Sequence, residues 1–94
     1  MDEKDSRILV VDDEQDLCEI LKFNLEIEGY QVETANSAEE ALEKDIASYN
    51  LLLLDVMMGG MSGFQLAKQL KNSEVTAHIP IIFLTARDTE NDTV

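Results

Sequence analysis

The sequence predicts an open α/β fold, in which a parallel sheet carries helices on both faces. Short apolar segments alternate along the chain with segments whose apolar residues recur at helical spacing. Strands that are joined through helices run parallel because the crossovers are right-handed, and the helices then cover both faces of the sheet. The 94 residues, 45% of them hydrophobic, predict one domain, residues 1–94.

The first strand and the first helix are predicted between residues 7 and 28. The run Arg7-Ile8-Leu9-Val10-Val11 is apolar and rich in β-branched residues, which is typical of a strand buried on both faces. A helix is expected from Gln15 to Glu28, and Gly29 stands where a helix C-terminus favours glycine. The apolar stripe of this helix is formed by Leu17, Ile20, Leu21 and Leu25.

The second strand and helix follow directly. Tyr30 to Ala35 alternates apolar and polar residues and predicts a more exposed strand. Ser37 with Glu40 three positions later predicts a capping box, in which each side chain accepts a backbone N–H of the other residue. The small apolar stripe of this helix is formed by Ala38, Ala41 and Leu42.

The second half of the chain repeats this alternation. Leu51 to Leu54 predicts a third strand, buried on both faces. Ser62 with Gln65 predicts a second capping box and the start of the third helix. Pro80 to Leu84 predicts the fourth strand, because a proline is tolerated at the first position of a strand.

Polar side chains follow three of these strands. Asp12 and Asp13 follow the first strand, Asp55 the third and Thr85 the fourth. The carboxyl ends of parallel strands meet at one edge of the sheet, where ligands bind, so we expect these side chains to converge. Close carboxylates repel each other, and a hard divalent cation with oxygen ligands relieves that repulsion. Mg²⁺ fits best because it retains waters and leaves room for a phosphoryl oxygen.

Helix capping is the alternative explanation for Asp12 and Asp13, because acidic residues favour the first turn of a helix. Capping requires only one of two adjacent acids, however, and it does not explain Asp55. The nearest predicted helix begins at Ser62, so we expect Asp55 in a loop held by a rigid strand, where functional side chains are often placed.

Three blocks of the sequence resemble the receiver domains of bacterial two-component response regulators. The blocks are ILVVDDE at 8–14, LLLLDVMMGGMSGF at 51–64 and IPIIFLTAR at 79–87. The resemblance covers the whole chain and implies a flavodoxin-like (βα)5 fold, here cut after the fourth strand and the start of a fourth helix. The blocks are most similar to receivers attached to winged-helix DNA-binding domains, which implies control of transcription as the output.

The resemblance also implies a role for each candidate residue. Asp55 would accept a phosphoryl group from the phosphohistidine of a sensor histidine kinase, and the Thr85 hydroxyl would bond that group. The implied Mg²⁺ ligands are Asp12, Asp13, Asp55 and the backbone carbonyl of Met57. The implied function is a phosphoacceptor switch that changes partner or dimer interactions. Its only chemistry would be its own phosphorylation and dephosphorylation, so no enzyme activity on other substrates is expected.

Two departures from the receiver pattern keep alternatives open. Gly59 stands where receivers usually carry a proline, and the fifth strand with its lysine is missing from this sequence. A phosphorylation-independent interaction domain is therefore one alternative. An aspartate-nucleophile phosphohydrolase is a weaker one, because such enzymes need a second aspartate where Met57 stands. The apolar fourth strand would also form an exposed sheet edge, which predicts pairing with another chain.

Charge and composition exclude some functions. A formal charge of -13 repels nucleic acid, so direct DNA binding by this chain is not expected. The sequence contains neither a secretory signal nor an apolar run long enough to span a membrane. A single cysteine, Cys18, forms no internal disulfide, which favours a reducing compartment and a cytoplasmic location.

Overall fold

The computed structural model describes residues 6–84, which form a parallel sheet with helices packed on both faces. The strands are β1 (Arg7–Val11), β2 (Gln31–Ala35), β3 (Leu51–Asp55) and β4 (Ile81–Leu84). All neighbouring strands are parallel, and their spatial order is β2-β1-β3-β4. The predicted open α/β architecture is thus confirmed, and the order brings β1 beside β3.

Three helices connect the strands. They are α1 (Gln15–Ile27), α2 (Ala38–Leu42) and α3 (Gly63–Lys71), and a short 3-10 helix at Ile46–Ser48 precedes β3. Beyond the end of α1, Gly29 has φ 104°, a left-handed conformation that glycine adopts without steric cost. This confirms the role predicted for that glycine.

The two predicted capping boxes differ in the structure. At α3 the box is complete, because Ser62 Oγ accepts the N–H of Gln65 and Gln65 Oε1 accepts the N–H of Ser62. At α2, Ser37 Oγ accepts the N–H of Glu40, but Glu40 Oε1 accepts the N–H of Asn36 instead of that of Ser37. The prediction for Glu40 was therefore wrong by one residue, and the glutamate holds the loop that enters α2.

Each face of the sheet has its own apolar core, because successive residues of a strand point to opposite faces. Leu9 and Val11 of β1 pack with α2 and α3, and Ile8 and Val10 pack with α1. All four side chains are buried, which confirms that β1 is covered on both faces. Along β3, Leu52 and Leu54 are buried in the larger core, whereas Leu51 and Leu53 are half-buried beside α1.

The predicted apolar stripe of α1 was wrong at Ile20. Leu21 and Leu25 pack against the core, but the Ile20 side chain is 57% exposed. A helix turns by about 100° per residue, so Ile20 lies off the line of Leu21 and Leu25 and shares a side with Phe23 and Ile27. These three exposed residues, Ile20, Phe23 and Ile27, form what we call the α1 ridge.

β4 lies at one end of the sheet in the part of the chain that the structure describes. Its side chains Ile82 and Phe83 are exposed, and the Phe83 ring meets Phe64 of α3 edge to face, with 4.8 Å between ring centroids. The backbone carbonyl of Pro80, just before β4, accepts the N–H of Leu52. Among residues 6–84, no helix has the length and apolar character that a membrane span requires.

Candidate functional site

Asp12 and Asp13 lie where β1 ends, at the carboxyl edge of the sheet. The Asp12 side chain is fully buried, and Asp13 is exposed. The Asp12 N–H donates to the carbonyl of Ala35 at 3.0 Å, which extends the contact between β1 and β2 by one residue. Asp12 Oδ1 accepts the N–H of Glu14 at 2.9 Å, so its carboxylate stabilises the turn that enters α1.

Helix capping was the alternative explanation for the acidic pair. The N-cap residue of α1 is Glu14, whose side chain makes no capping hydrogen bond. The Asp12 carboxylate accepts the N–H of Glu14, so it bonds the N-cap residue at the entry to the helix. The capping alternative raised from the sequence therefore stays open for the acidic pair.

Asp55 is the last residue of β3, and the expectation that it lies in a loop was wrong. It pairs with Leu84 of β4 because the ladder between the two strands extends one residue beyond the leucine run. The side chain is fully buried, and its Oδ1 accepts the N–H of Met57 at 3.2 Å. The backbone of Asp55 is thus held by strand pairing, and its carboxylate accepts a hydrogen bond from the loop that follows.

The three aspartates meet, as the order of the strands requires. Val11 is paired with Leu54, so the residues that follow them, Asp12 and Asp55, lie side by side at the carboxyl edge of the sheet. One carboxylate oxygen from each of Asp12, Asp13 and Asp55 lies within 4.8 Å of the others. The predicted convergence is confirmed for these three aspartates, and the fourth member of the predicted set, Thr85, lies outside the described residues. Oxygen ligands at this spacing suit a hard divalent cation, and two of the three carboxylates are buried where their mutual repulsion is weakly screened.

The start of α3 packs against the backbone of Asp55, a contact that was not predicted from the sequence. The Gly63 N–H donates to the carbonyl of Val56 at 3.2 Å. A Cβ atom at residue 63 would overlap the backbone carbonyl of Asp55, so glycine is required there. The available signal was a glycine at the first position of a well-capped helix, where other residues form helices more readily.

The two glycines before Ser62 have different roles. Gly60 adopts φ 75°, a left-handed conformation, and lies close to the Glu39 side chain of α2. Glu39 Oε2 also accepts the N–H of Met61, which ties this loop to α2. Gly59 has no positive φ, and a Cβ there would meet nothing within 4 Å. The structure therefore explains Gly60 but shows no steric need for glycine at residue 59.

Two of the candidate site residues are not placed by the structure in their predicted roles. The N–H of Met57 donates to the Asp55 carboxylate, and the Met57 side chain is 65% exposed. Metal binding by the backbone carbonyl of Met57 stays a prediction. Thr85 lies outside the described residues 6–84, as does the predicted start of a fourth helix.

Cys18 lies directly beneath the acidic pair, on the first turns of α1. Its side chain is buried, and the thiol donates to the backbone carbonyl of Asp12 at 3.3 Å. Burial, together with the negative charge of Asp12, raises the pKa of the Cys18 thiol from 9.0 to about 11. The thiol is therefore protonated near neutral pH and acts as a hydrogen-bond donor at the base of the site.

A family model described as the response regulator receiver domain matches residues 8–94. Two regulatory proteins are similar over nearly the whole chain. The transcriptional regulatory protein CpxR homolog of Haemophilus influenzae is 44% identical over 89 residues, covering 95% of this chain and 38% of its own length. The alkaline phosphatase synthesis transcriptional regulatory protein PhoP of Bacillus subtilis is 44% identical over 89 residues, covering 94% and 36%. The chain thus spans less than two fifths of the length of these relatives.

Solved structures show the same fold. The N-terminal domain of a response regulator receiver protein from Methanoculleus marisnigri has a TM-score of 0.81 and 39% identity, covering 86% of this chain and 67% of its own. The response regulator protein TrrA from Thermotoga maritima, in complex with Mg²⁺-BeF, has a TM-score of 0.69 and 31% identity, covering 90% and 91%. These likenesses confirm the predicted flavodoxin-like receiver fold.

Proposed function

Because the chain belongs to the response regulator receiver domain family, we propose that it is a phosphoacceptor switch whose phosphorylated residue is Asp55. The observation that carries the proposal is the meeting of Asp12, Asp13 and Asp55 within 4.8 Å at the carboxyl edge of the sheet. The rigid end of β3 presents the Asp55 carboxylate at that edge. Residues 1–94 would constitute the receiver domain.

The chemistry follows from these residues. The Asp55 carboxylate acts as the nucleophile towards the phosphorus of the donor's phosphohistidine, and an acyl phosphate forms as the P–N bond breaks and the imidazole leaves. Water later hydrolyses the acyl phosphate to inorganic phosphate and restores the carboxylate. Mg²⁺ supplies neutralisation of the charge on the transferring phosphoryl oxygens when it is bound. The residues that would hold it are Asp12, Asp13, Asp55 and the backbone carbonyl of Met57. The Thr85 hydroxyl would donate a hydrogen bond to the phosphoryl group. In this proposal the domain catalyses only its own phosphorylation and dephosphorylation.

The partners are inferred from the family and from charge. The phosphoryl donor would be the phosphohistidine of a sensor histidine kinase. The output would be transcription, which is supported by the similarity to two transcriptional regulatory proteins, the CpxR homolog and PhoP. DNA contact would come from another part of such a protein, because a formal charge of -13 repels nucleic acid. A cytoplasmic location is consistent with this role.

The β4 edge supports a further partner. Ile82 is 52% exposed and Phe83 is 38% exposed at the end of the described sheet. Exposed apolar strands of this kind pair readily with another strand. A second copy of the chain, forming a homodimer, or another strand-pairing chain would therefore cover this edge. Light scattering over a range of concentrations measures this, and a stable monomer at every concentration would contradict it.

Treatment with acetyl phosphate, followed by intact mass measurement, tests the phosphoacceptor proposal. The wild-type chain is expected to gain one phosphoryl group in the presence of Mg²⁺ and none when the metal is chelated. Asp55→Asn should abolish the adduct because the nucleophile is lost, and Asp12→Asn should strongly reduce it because a metal ligand is lost. Asp45→Asn, an exposed acid before the 3-10 helix, is the matched control and should behave as wild type.

Two results would contradict the proposal. An adduct that persists in Asp55→Asn would place the phosphoryl group on another residue. A wild-type chain that folds and binds Mg²⁺ but gains no phosphoryl group would favour the alternative of a phosphorylation-independent interaction domain. The phosphohydrolase alternative predicts many turnovers of a phosphate monoester such as p-nitrophenyl phosphate, whereas the switch proposal predicts none, and the absorbance of released p-nitrophenol measures this.

A further inference from the structure

The backbone of Asp12 is held on both of its polar sides. Its N–H donates to the Ala35 carbonyl at 3.0 Å. Its carbonyl accepts two side-chain donors, Asn36 Nδ2 at 3.0 Å and Cys18 Sγ at 3.3 Å. A thiol is a weak donor, so the amide of Asn36 provides the stronger of the two bonds. Residues of β2 and its following loop therefore fix the first acid of the site.

Asn36 is itself held firmly by the start of α2. Its backbone N–H donates to Glu40 Oε1 at 2.9 Å. The Glu40 N–H donates in turn to Ser37 Oγ at 2.9 Å, which fixes the first turn of the helix. Glu40 therefore bonds Asn36 instead of completing the predicted capping box, and this bond fixes the backbone of Asn36. A continuous set of hydrogen bonds runs from the cap of α2 through Asn36 to the carbonyl of Asp12.

We propose that Asn36 is a positioning residue for the metal site, and this inference rests on the proposed function. The carbonyl of Asp12 and the N–H of Asp13 belong to one planar peptide unit. Holding the oxygen of that unit therefore fixes the direction in which the chain continues to Asp13. The spacing of the two carboxylates depends on that direction, and Mg²⁺ demands nearly ideal octahedral geometry. Substitution of a residue that orients metal ligands in this way typically lowers the metal affinity by about 10- to 100-fold.

Replacement of Asn36 by aspartate separates geometry from charge. Asn36→Asp keeps the size of the side chain but removes the donor, and it adds a negative charge that by itself would strengthen cation binding. We expect Mg²⁺ to bind about tenfold more weakly in calorimetric titration, in spite of the added charge. Asn24→Asp, on the exposed side of α1, adds the same charge elsewhere and is expected to bind Mg²⁺ at least as tightly as wild type.

The affinity for Ca²⁺ distinguishes positioning from a general loss of stability. Ca²⁺ tolerates irregular coordination, so a loosened site should lose more affinity for Mg²⁺ than for Ca²⁺. The Mg²⁺ affinity divided by the Ca²⁺ affinity should therefore be lower in Asn36→Asp and in Asn36→Ala than in the wild type. Urea unfolding establishes conditions under which both variants are folded, and the affinities are measured there. Cys18→Ala, which removes the weaker donor, should change the ratio in the same direction by a smaller factor.

The outcomes are distinct. An unchanged Mg²⁺ affinity and an unchanged ratio in both Asn36 variants would overturn the positioning role and leave the metal site standing. Equal loss of affinity for both cations would also overturn it, because that result indicates a structural role only. A wild-type chain that binds no Mg²⁺ would overturn the metal site itself, and the role of Asn36 with it.

Discussion

The α-carbon of Gly63 lies against the backbone carbonyl of Asp55, so the first turn of α3 and the end of β3 are in direct contact. A Cβ at residue 63 would overlap that carbonyl oxygen and approach the α-carbon of Val56 to 3.1 Å. The Gly63 N–H bonds the Val56 carbonyl at the same place. The candidate phosphoacceptor is therefore held through its backbone by a helix as well as by the sheet.

Gly63→Ala is expected to destabilise the chain by about 1–3 kcal/mol, the usual cost of adding a methyl group where there is no room. The displacement of the Asp55 backbone should also lower the yield of the phosphoryl adduct. Urea unfolding and the acetyl phosphate assay measure the two effects. Wild-type stability together with a wild-type adduct yield would show that the contact is not tight.

Gly59→Ala is the matched substitution with the opposite expectation. Gly59 has no positive φ and open space where a Cβ would stand, so alanine fits the native backbone. Alanine reduces the conformational freedom of the unfolded chain, which should increase the free energy of unfolding by about 0.4–1 kcal/mol. The urea midpoint measures this, and destabilisation would indicate a backbone conformation that only glycine tolerates.

Cys18 is expected to be unreactive in the native chain. Burial raises the pKa of its thiol to about 11, so little thiolate exists at pH 8. Iodoacetamide should label the native chain at least tenfold more slowly than the same chain in urea. Because the folded pKa is raised above 9.0, the stability associated with the neutral thiol is present below pH 9 and is lost as pH rises towards 11. Rapid labelling at pH 8 without denaturant would contradict this.

The α1 ridge and the buried side of α1 should respond differently to substitution. Ile20→Ala removes an exposed side chain and should change stability by no more than about 0.5 kcal/mol. Leu25→Ala removes a side chain that packs against the core and should cost about 2 kcal/mol. Urea unfolding of the two variants provides the comparison, and equal losses would show that the ridge is covered in solution.

The regular part of the fold was predictable because strong local patterns specify it. The apolar runs of β1 and β3 require burial, and parallel strands place their terminal acids at one edge. Asp12, Asp13 and Asp55 could therefore be brought together from the sequence alone. Ile20 could not be placed correctly from the sequence. Its spacing from Leu17 is compatible with the buried stripe of α1, and only the packing of α1 against the sheet determines that Ile20 is exposed.

Contacts between elements account for the rest. Glu40 was expected to bond Ser37, but Asn36 offers its N–H one residue earlier, and only the path of the β2–α2 loop decides between them. The need for Gly63 arises from how closely α3 approaches Asp55, a distance that no local pattern specifies. Asp55 itself belongs to a strand instead of a loop because β4 pairs with it through Leu84.

The adjacency of β1 and β3 has a consequence for the order of folding. β1, α1 and β2 are consecutive in sequence and can associate early, but they supply only Asp12 and Asp13. Asp55 joins them when β3 pairs with β1, a contact between distant parts of the chain that we expect to form more slowly than the contacts among β1, α1 and β2. Binding of Mg²⁺ at all three acids would therefore select the completed sheet over any partly folded intermediate. The rate at which Mg²⁺ affinity appears during refolding would then report the pairing of β1 with β3.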